Sequence, residues 1–186
     1  MRHSGLTLVE TLVVVGLTSL IMGALGSLLV SFYRSNAFLF QQGTAVLEAR
    51  RGIENTVRYL REASNGSDGS SPITEAATSS IAFWADVDDD GALDTVSYSL
   101  ASAALTRTIT LSTGSETNVT ISAFVGNGTS TPIFQYYGSS GTALTEPVNT
   151  ALIKSVQMTL ITDVDPQRLP PPLNLSGTAT LRNSNL

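Results

Sequence analysis

The sequence predicts an α+β fold, a long N-terminal helix packed on an antiparallel β-sheet head. Three observations carry that expectation. Residues 6–32 form an apolar run whose only charge is Glu10. Beyond it, Leu39, Val46, Ile53 and Leu60 keep a seven-residue spacing through polar sequence, the sign of one apolar helix face. From residue 81 onward the chain breaks into short apolar-rich runs separated by turn residues, as the strands of an antiparallel sheet do.

The first element is the membrane-spanning half of the helix, residues 6–33. About 20 apolar residues in helical form cross the hydrocarbon core of a bilayer. Residues 6–32 extend roughly 40 Å at about 1.5 Å per residue. The run exceeds the roughly 7–15 apolar residues of a cleaved secretory signal. Glu10 is conspicuous in it, because a carboxylate deep in a membrane helix costs about 2.5–3.5 kcal/mol and therefore needs a partner. Ser19, Gly23 and Ser27 recur every fourth residue, with Gly16 and Gly26 nearby. Small residues at that spacing let membrane helices approach closely.

The second half of the helix, residues 34–63, is amphipathic and emerges into water. Ala49 and Val57 fill the stripe beside Ile53 and Leu60, and Glu54 and Arg58 stand one turn apart on the opposite face. Arg50 and Arg51 read as a solvated face, or as a contact with another subunit or an assembly platform. The helix ends near Ala63, because Ser64 to Pro72 is turn chemistry throughout, and residues 64–80 form a loop. Residues 81–186 make the β-rich head. Its strands are expected at Ile81–Ala85, Thr95–Leu100, Leu105–Leu111, Asn118–Val125, Ile133–Tyr137, Ile153–Thr162 and Ser176–Arg182. The loop from Asp163 to Pro172 is held extended by Pro170, Pro171 and Pro172. One sheet is expected to pack on the apolar helix face at residues 39–60.

Composition removes several function classes. There is no Cys, hence no disulfide, thiolate nucleophile or Cys metal site. The only His is His3, so a chain lacking residues 1–5 has no His as general base or metal ligand. Lys154 is the only Lys. The net charge is −5, which argues against broad nucleic-acid binding. The chain is not expected to be an enzyme.

Residues 5–15, Gly-Leu-Thr-Leu-Val-Glu-Thr-Leu-Val-Val-Val, resemble the class III signal of type IV prepilins and type II secretion pseudopilins. That signal is a short basic leader ending in Gly, then an apolar residue, Thr-Leu-(Ile/Val)-Glu and an apolar run. The match covers residues 1–32 and extends along the helix to about residue 63. Two features depart from the family pattern. Leu6 stands where Phe is commoner, and no Pro precedes Pro72, so the helix lacks the kinking Pro of major pilins. Gly23 and Gly26 could supply a soft point in its place.

The resemblance implies removal of leader residues 1–5 by a prepilin peptidase cutting after Gly5. It also implies N-methylation of Leu6 and assembly into a filament. The new amine on Leu6 lies one helical turn from Glu10, and Glu10 of an incoming subunit then meets the amine of its neighbour. The long C-terminal strand with its proline-rich loop resembles, more diffusely, the larger minor pilins and the J-type or W-type minor pseudopilins.

One further motif carries chemistry. Asp86, Asp88, Asp90 and Asp94 occupy positions 1, 3, 5 and 9 of an EF-hand-like loop with Gly91 at position 6. Five of the 15 acids fall between residues 86 and 94. Position 12 is Ser97 rather than the bidentate Glu, and the flanks read as strands. The loop is either an acidic hairpin turn or a weak Ca2+ site suited to millimolar calcium; no cofactor is required.

The functional expectation is a minor pilin or pseudopilin subunit of a type IV pilus, a competence pseudopilus or a type II secretion pseudopilus, placed at the filament tip. Its partners are other pilin or pseudopilin subunits, the prepilin peptidase, the inner-membrane assembly platform and, before assembly, membrane lipid. Its expected location is single-pass in the cytoplasmic membrane, N-terminus inside and head outside. The alternative is a membrane-anchored extracellular head that binds or adheres in a calcium-dependent way.

Overall fold

The structure, a computed structural model, describes residues 7–128, 130–167 and 169–182. They fall into two compact units, Met1–Gln41 and Gln42–Leu186. One helix, α1, runs Leu8–Glu62, ending within a residue of the expected position. It is followed by eight strands in two antiparallel sheets, so the fold is α+β. β1 (Ile73–Ala76), β2 (Ser80–Ala85), β3 (Asp94–Ala101), β4 (Ala104–Thr110) and β5 (Glu116–Ser122) form a meander in the order of the chain. β6 (Phe134–Tyr137), β7 (Ser155–Thr162) and β8 (Leu173–Thr180) form the second sheet in the same manner.

Two sheets replace the single one expected from sequence. β5 ends at Ser122, and Phe124 two residues on has φ 59°. A left-handed residue breaks a strand. The chain then crosses to β7 through a lone bridge, Val125 to Thr162, supported by Gly126 N–H donating to Ile161 O (2.7 Å) and Asp163 N–H to Phe124 O (2.9 Å). β7 already pairs with β6 and β8, so it cannot accept β5 as a full neighbour. The expected loop 64–80 also contains a strand: β1 pairs with β2 through a register shift between Ile73 and Glu75. β8 begins three residues before the expected Ser176 and stops at Thr180.

The turn between β3 and β4 carries no Gly. Ser102 and Ala103 both take positive φ, 50° and 60°, as a two-residue hairpin of the primed type requires. Ladder pairing on both sides, from Thr95–Thr110 to Ala101–Ala104, imposes the conformation against the local preference of these residues.

Within Gln42–Leu186, α1 lies across strands of both sheets. The buried helix residues are Ala45, Ala49, Gly52, Ile53, Thr56 and Leu60. This corrects the expected stripe: Ile53, Leu60 and Ala49 belong to it, but Leu39 and Val46 are 63% and 41% exposed. The seven-residue spacing tracks a line along the helix. The docked face is instead set where small side chains let the backbone approach. Gly52 sits against Leu160 of β7 and Ser122 of β5, and Gly177 of β8 sits against Ile53 and Val57. Each has no side chain because a Cβ would lie 2.5 Å from a neighbouring carbon.

The core between these elements is aliphatic and aromatic. Phe83 and Tyr98 stack at 6.3 Å, and Phe134, Tyr136, Met158 and Leu160 are fully buried. The buried Tyr136 hydroxyl donates to Ala77 O at 2.8 Å, which satisfies a group that would otherwise be costly to bury. Of the charged pairs on α1, the ion pair is Arg50 with Glu54 at 2.6 Å. The expected Glu54–Arg58 pair is replaced by it, and Arg58 stacks 4.9 Å above the Tyr59 ring.

Candidate functional site

Two places named by the sequence bear on function: the start of α1 and the loop between β2 and β3. At the helix start the Thr7 hydroxyl accepts from the Glu10 N–H at 3.3 Å. Thr7-Leu-Val-Glu10 is thus the front half of a capping box, a signal legible in the sequence itself. The acid at the third helical position also faces the positive end of the helix dipole. Glu10 is exposed. Gly5 and Leu6 lie outside the described residues.

Downstream, every residue from Leu8 to Ala37 is exposed, and α1 contains a stretch long and apolar enough to cross a membrane. Its hydroxyls are satisfied internally. Thr11 donates to Leu8 O, Thr18 to Val14 O, Ser19 to Val15 O and Ser27 to Ala24 O, all at 2.8–2.9 Å. A bilayer offers no water to such groups, so this back-bonding makes the segment compatible with one. A Cβ built on Gly16, Gly23 or Gly26 meets nothing within 4 Å. Ser19, Gly23 and Ser27 are all exposed, spaced one turn apart along the helix.

The acidic loop is a hairpin between paired strands, since Ala85 of β2 faces Asp94 of β3. Its four named carboxylates are not equivalent. Asp94 is buried, 1% exposed, and accepts from Val87 N–H (3.0 Å) and Ser112 N–H (2.8 Å). Asp86 accepts from Gly91 N–H at 3.0 Å, while its second oxygen, Oδ1, is buried with no partner. Asp90 caps Ala92 N–H at 2.7 Å and stands apart from the cluster that the other three make. Asp86, Asp88 and Asp94 each bring one oxygen to within 4.8 Å of the others.

Their crowding shows in Asp88, whose carboxyl is raised above its ordinary value. Desolvation leads, followed by repulsion from Asp90, Asp94 and Asp86. Asp89 and Gly91 take φ 58° and 82°, which lets the turn close over so many like charges. Among the described residues no hairpin carboxylate pairs with a basic group. The geometry is a compact cluster of carboxylate oxygens to which backbone N–H groups donate.

Sequence reasoning missed a third cluster, where α1 crosses the first sheet. Asn55 Oδ1 accepts from Tyr98 OH (2.9 Å) and from Arg107 (3.2 Å). The Arg107 guanidinium lies 4.6 Å from the Tyr59 ring centre, which Arg58 also approaches. Burial pushes the Tyr98 hydroxyl far up, against the pull of Arg107, so it remains a neutral donor. Nothing in sequence spacing links residues 55, 98 and 107. The cluster orients the helix on the sheet. No protein-family model matches the chain, and no curated protein matches it.

Proposed function

We propose that this chain is a minor pilin or pseudopilin subunit of a type IV pilus, a competence pseudopilus or a type II secretion pseudopilus. It is processed by a prepilin peptidase and assembled through its N-terminal helix, at the filament tip. The observation that carries the reading is a single α1 whose residues 8–32 are exposed and carry no charge but Glu10, and whose last turns are docked on β-sheets. Exposed apolar surface of that extent requires lipid or other helices to cover it. The strip of Ser19, Gly23 and Ser27 suits helix neighbours. The action is mechanical rather than catalytic: inserted with its N-terminus in the cytoplasm, the chain is cut, methylated and stacked with other subunits on an inner-membrane assembly platform.

Intact-mass and N-terminal analysis of the chain from a host with a prepilin peptidase tests this. The expected product starts at N-methylated Leu6. A mature chain that still begins at Met1 overturns the reading.

A second reading has one observation in its favour. A membrane-anchored, calcium-dependent binding head would use the cluster of Asp86, Asp88 and Asp94, where Asp86 also has a buried oxygen, Oδ1, without a partner. An ion bound only to the folded state stabilises it by mass action. A site with a dissociation constant of about 1 mM, in the range of extracellular modules, gives about 1.4 kcal/mol at about 10 mM calcium. The full chain in detergent should then melt at higher temperature with calcium, and Asp88→Asn should remove the gain. A melting temperature that does not move across the titration, at fixed magnesium and ionic strength, makes the hairpin a plain turn.

A further inference from the structure

The two sheets have four outer strands, and they differ in how their edges are protected. An open edge presents unpaired N–H and C=O groups, which proteins blunt with short strands, bulges, Pro or charge. β1 has four residues, a register shift and Glu75. β6 has four residues, and its outer side is closed by the Tyr137–Ala143 bridge and by Leu144 N–H donating to Tyr136 O at 2.8 Å. β5 carries Glu116, and its continuation leaves for the other sheet at Val125.

β8 has none of these devices. Its eight residues, Leu-Asn-Leu-Ser-Gly-Thr-Ala-Thr, include no charge and no Pro, pair with β7 in unbroken register, and have no strand on the other side among the described residues. Beside it runs a groove of about 510 Å³ between β8 and α1. Gly177 and Thr178 form one wall, Ile53 and Val57 give apolar footing, and Arg58, Arg61 and Arg182 line it together with Glu54 and Glu62. Arg61 and Arg182 are exposed and have no acidic partner among the described residues. Of the two acids in the lining, Glu54 is taken by Arg50, so three arginines stand against Glu62 alone. A chain of net charge −5 thus keeps an excess of positive charge beside this strand edge.

We propose that this groove binds an extended acidic segment of a partner polypeptide as a fourth strand on β8. Main-chain hydrogen bonds to the open edge supply affinity, and alternate side chains supply selectivity. The partner's carboxylates reach Arg61 and Arg182 on one side, and its small apolar residues lie over Ile53 and Val57. All these groups lie within Gln42–Leu186, so binding requires neither leader removal nor filament assembly and stands apart from the function proposed above.

The test uses the full chain in detergent and a fluorescein-labelled seven-residue peptide alternating valine and aspartate. Two control peptides replace aspartate by lysine, or replace the central valines by proline at unchanged charge. Saturable binding of the acidic peptide is expected, weakened about tenfold or more by Arg61→Glu with Arg182→Glu. Both positions are exposed, so the variant should unfold at the same temperature as the parent. The lysine and proline peptides should not bind. Absence of saturable binding by the acidic peptide overturns the proposal, as does binding indifferent to the double charge reversal. Equal binding of the proline peptide overturns strand addition and reduces the groove to a charged surface.

Discussion

Gly177→Ala is expected to destabilise the folded chain by about 1–3 kcal/mol, the usual cost of overpacking a close contact. The sign is informative, because Ala in a strand interior is otherwise better than Gly by about 0.5–1 kcal/mol. At Gly177 the new Cβ would stand 2.5 Å from Ile53 Cγ2 and 3.3 Å from Val57 Cγ2. Both obstacles are branches on Cβ of a helical residue, where χ1 is held in one rotamer, so the helix itself must move.

Gly52→Ala provides the contrast. Its Cβ also meets a carbon at 2.5 Å, but that carbon is Leu160 Cδ1, the far end of a side chain, which leaves Ser122 Cβ at 3.1 Å as the stiff neighbour, and helix propensity favours Ala by about 0.8–1 kcal/mol. A smaller loss than at Gly177 is expected there. Urea unfolding of the full chain in mild detergent, followed through Trp84, the single Trp, distinguishes the two. Ile53→Ala in the Gly177→Ala background should recover part of the loss, as coupling between touching residues requires. A Gly177→Ala variant at least as stable as the parent would mean that β8 does not press on α1 at this point.

In the assembly proposed above, Glu10→Val should leave the chain in the membrane and remove it from the filament. The cap survives the change, because the Thr7 hydroxyl receives the backbone N–H of residue 10 and not its side chain. Loss of an acid at the positive end of the helix costs about 0.3–1 kcal/mol, and removal of a charge from a membrane segment returns more than that. The assembled state changes most. An amine left buried without its carboxylate costs about 3–5 kcal/mol, equivalent to a fall in incorporation of about two to three orders of magnitude at about 1.4 kcal/mol per decade. Membrane-fraction abundance and recovery in sheared filaments, compared at equal expression, measure the two effects separately. Wild-type incorporation of the Val variant would remove the proposed charge pairing.

Much of this architecture is legible in local sequence. The apolar run from Leu8, the turn residues after Ala63, and the alternation in Ser155–Thr162, whose burial switches at each residue, are repeating patterns that one element imposes on its own residues. The acidic hairpin is legible for the same reason, as its Asp and Gly residues are local turn chemistry. What escaped depends on contacts distant in the chain. Leu39 and Val46 fit the period of the stripe yet remain exposed, because the docked face is chosen by the close approach at Gly52 and Gly177. Asp90 fits the spacing of a ligand, but its carboxylate is turned to Ala92 N–H, whereas Asp94 is drawn inward by Val87 and Ser112.

The sequence by itself determined the order of the elements, the α+β class and the position of a membrane-competent helix with one acid near its start. Hydrophobic period and turn chemistry are properties of neighbours in the chain, and they need no tertiary context. Only the tertiary structure decided that the strands divide into two sheets and that Asn55, Tyr98 and Arg107 meet. It also decided that β8 is left with an open edge beside Arg61 and Arg182. Each of those outcomes depends on which surfaces can approach within contact distance after folding. That is set by the absence of a side chain at Gly52 and Gly177, and by the left-handed turn at Phe124, acting on residues dozens of positions away.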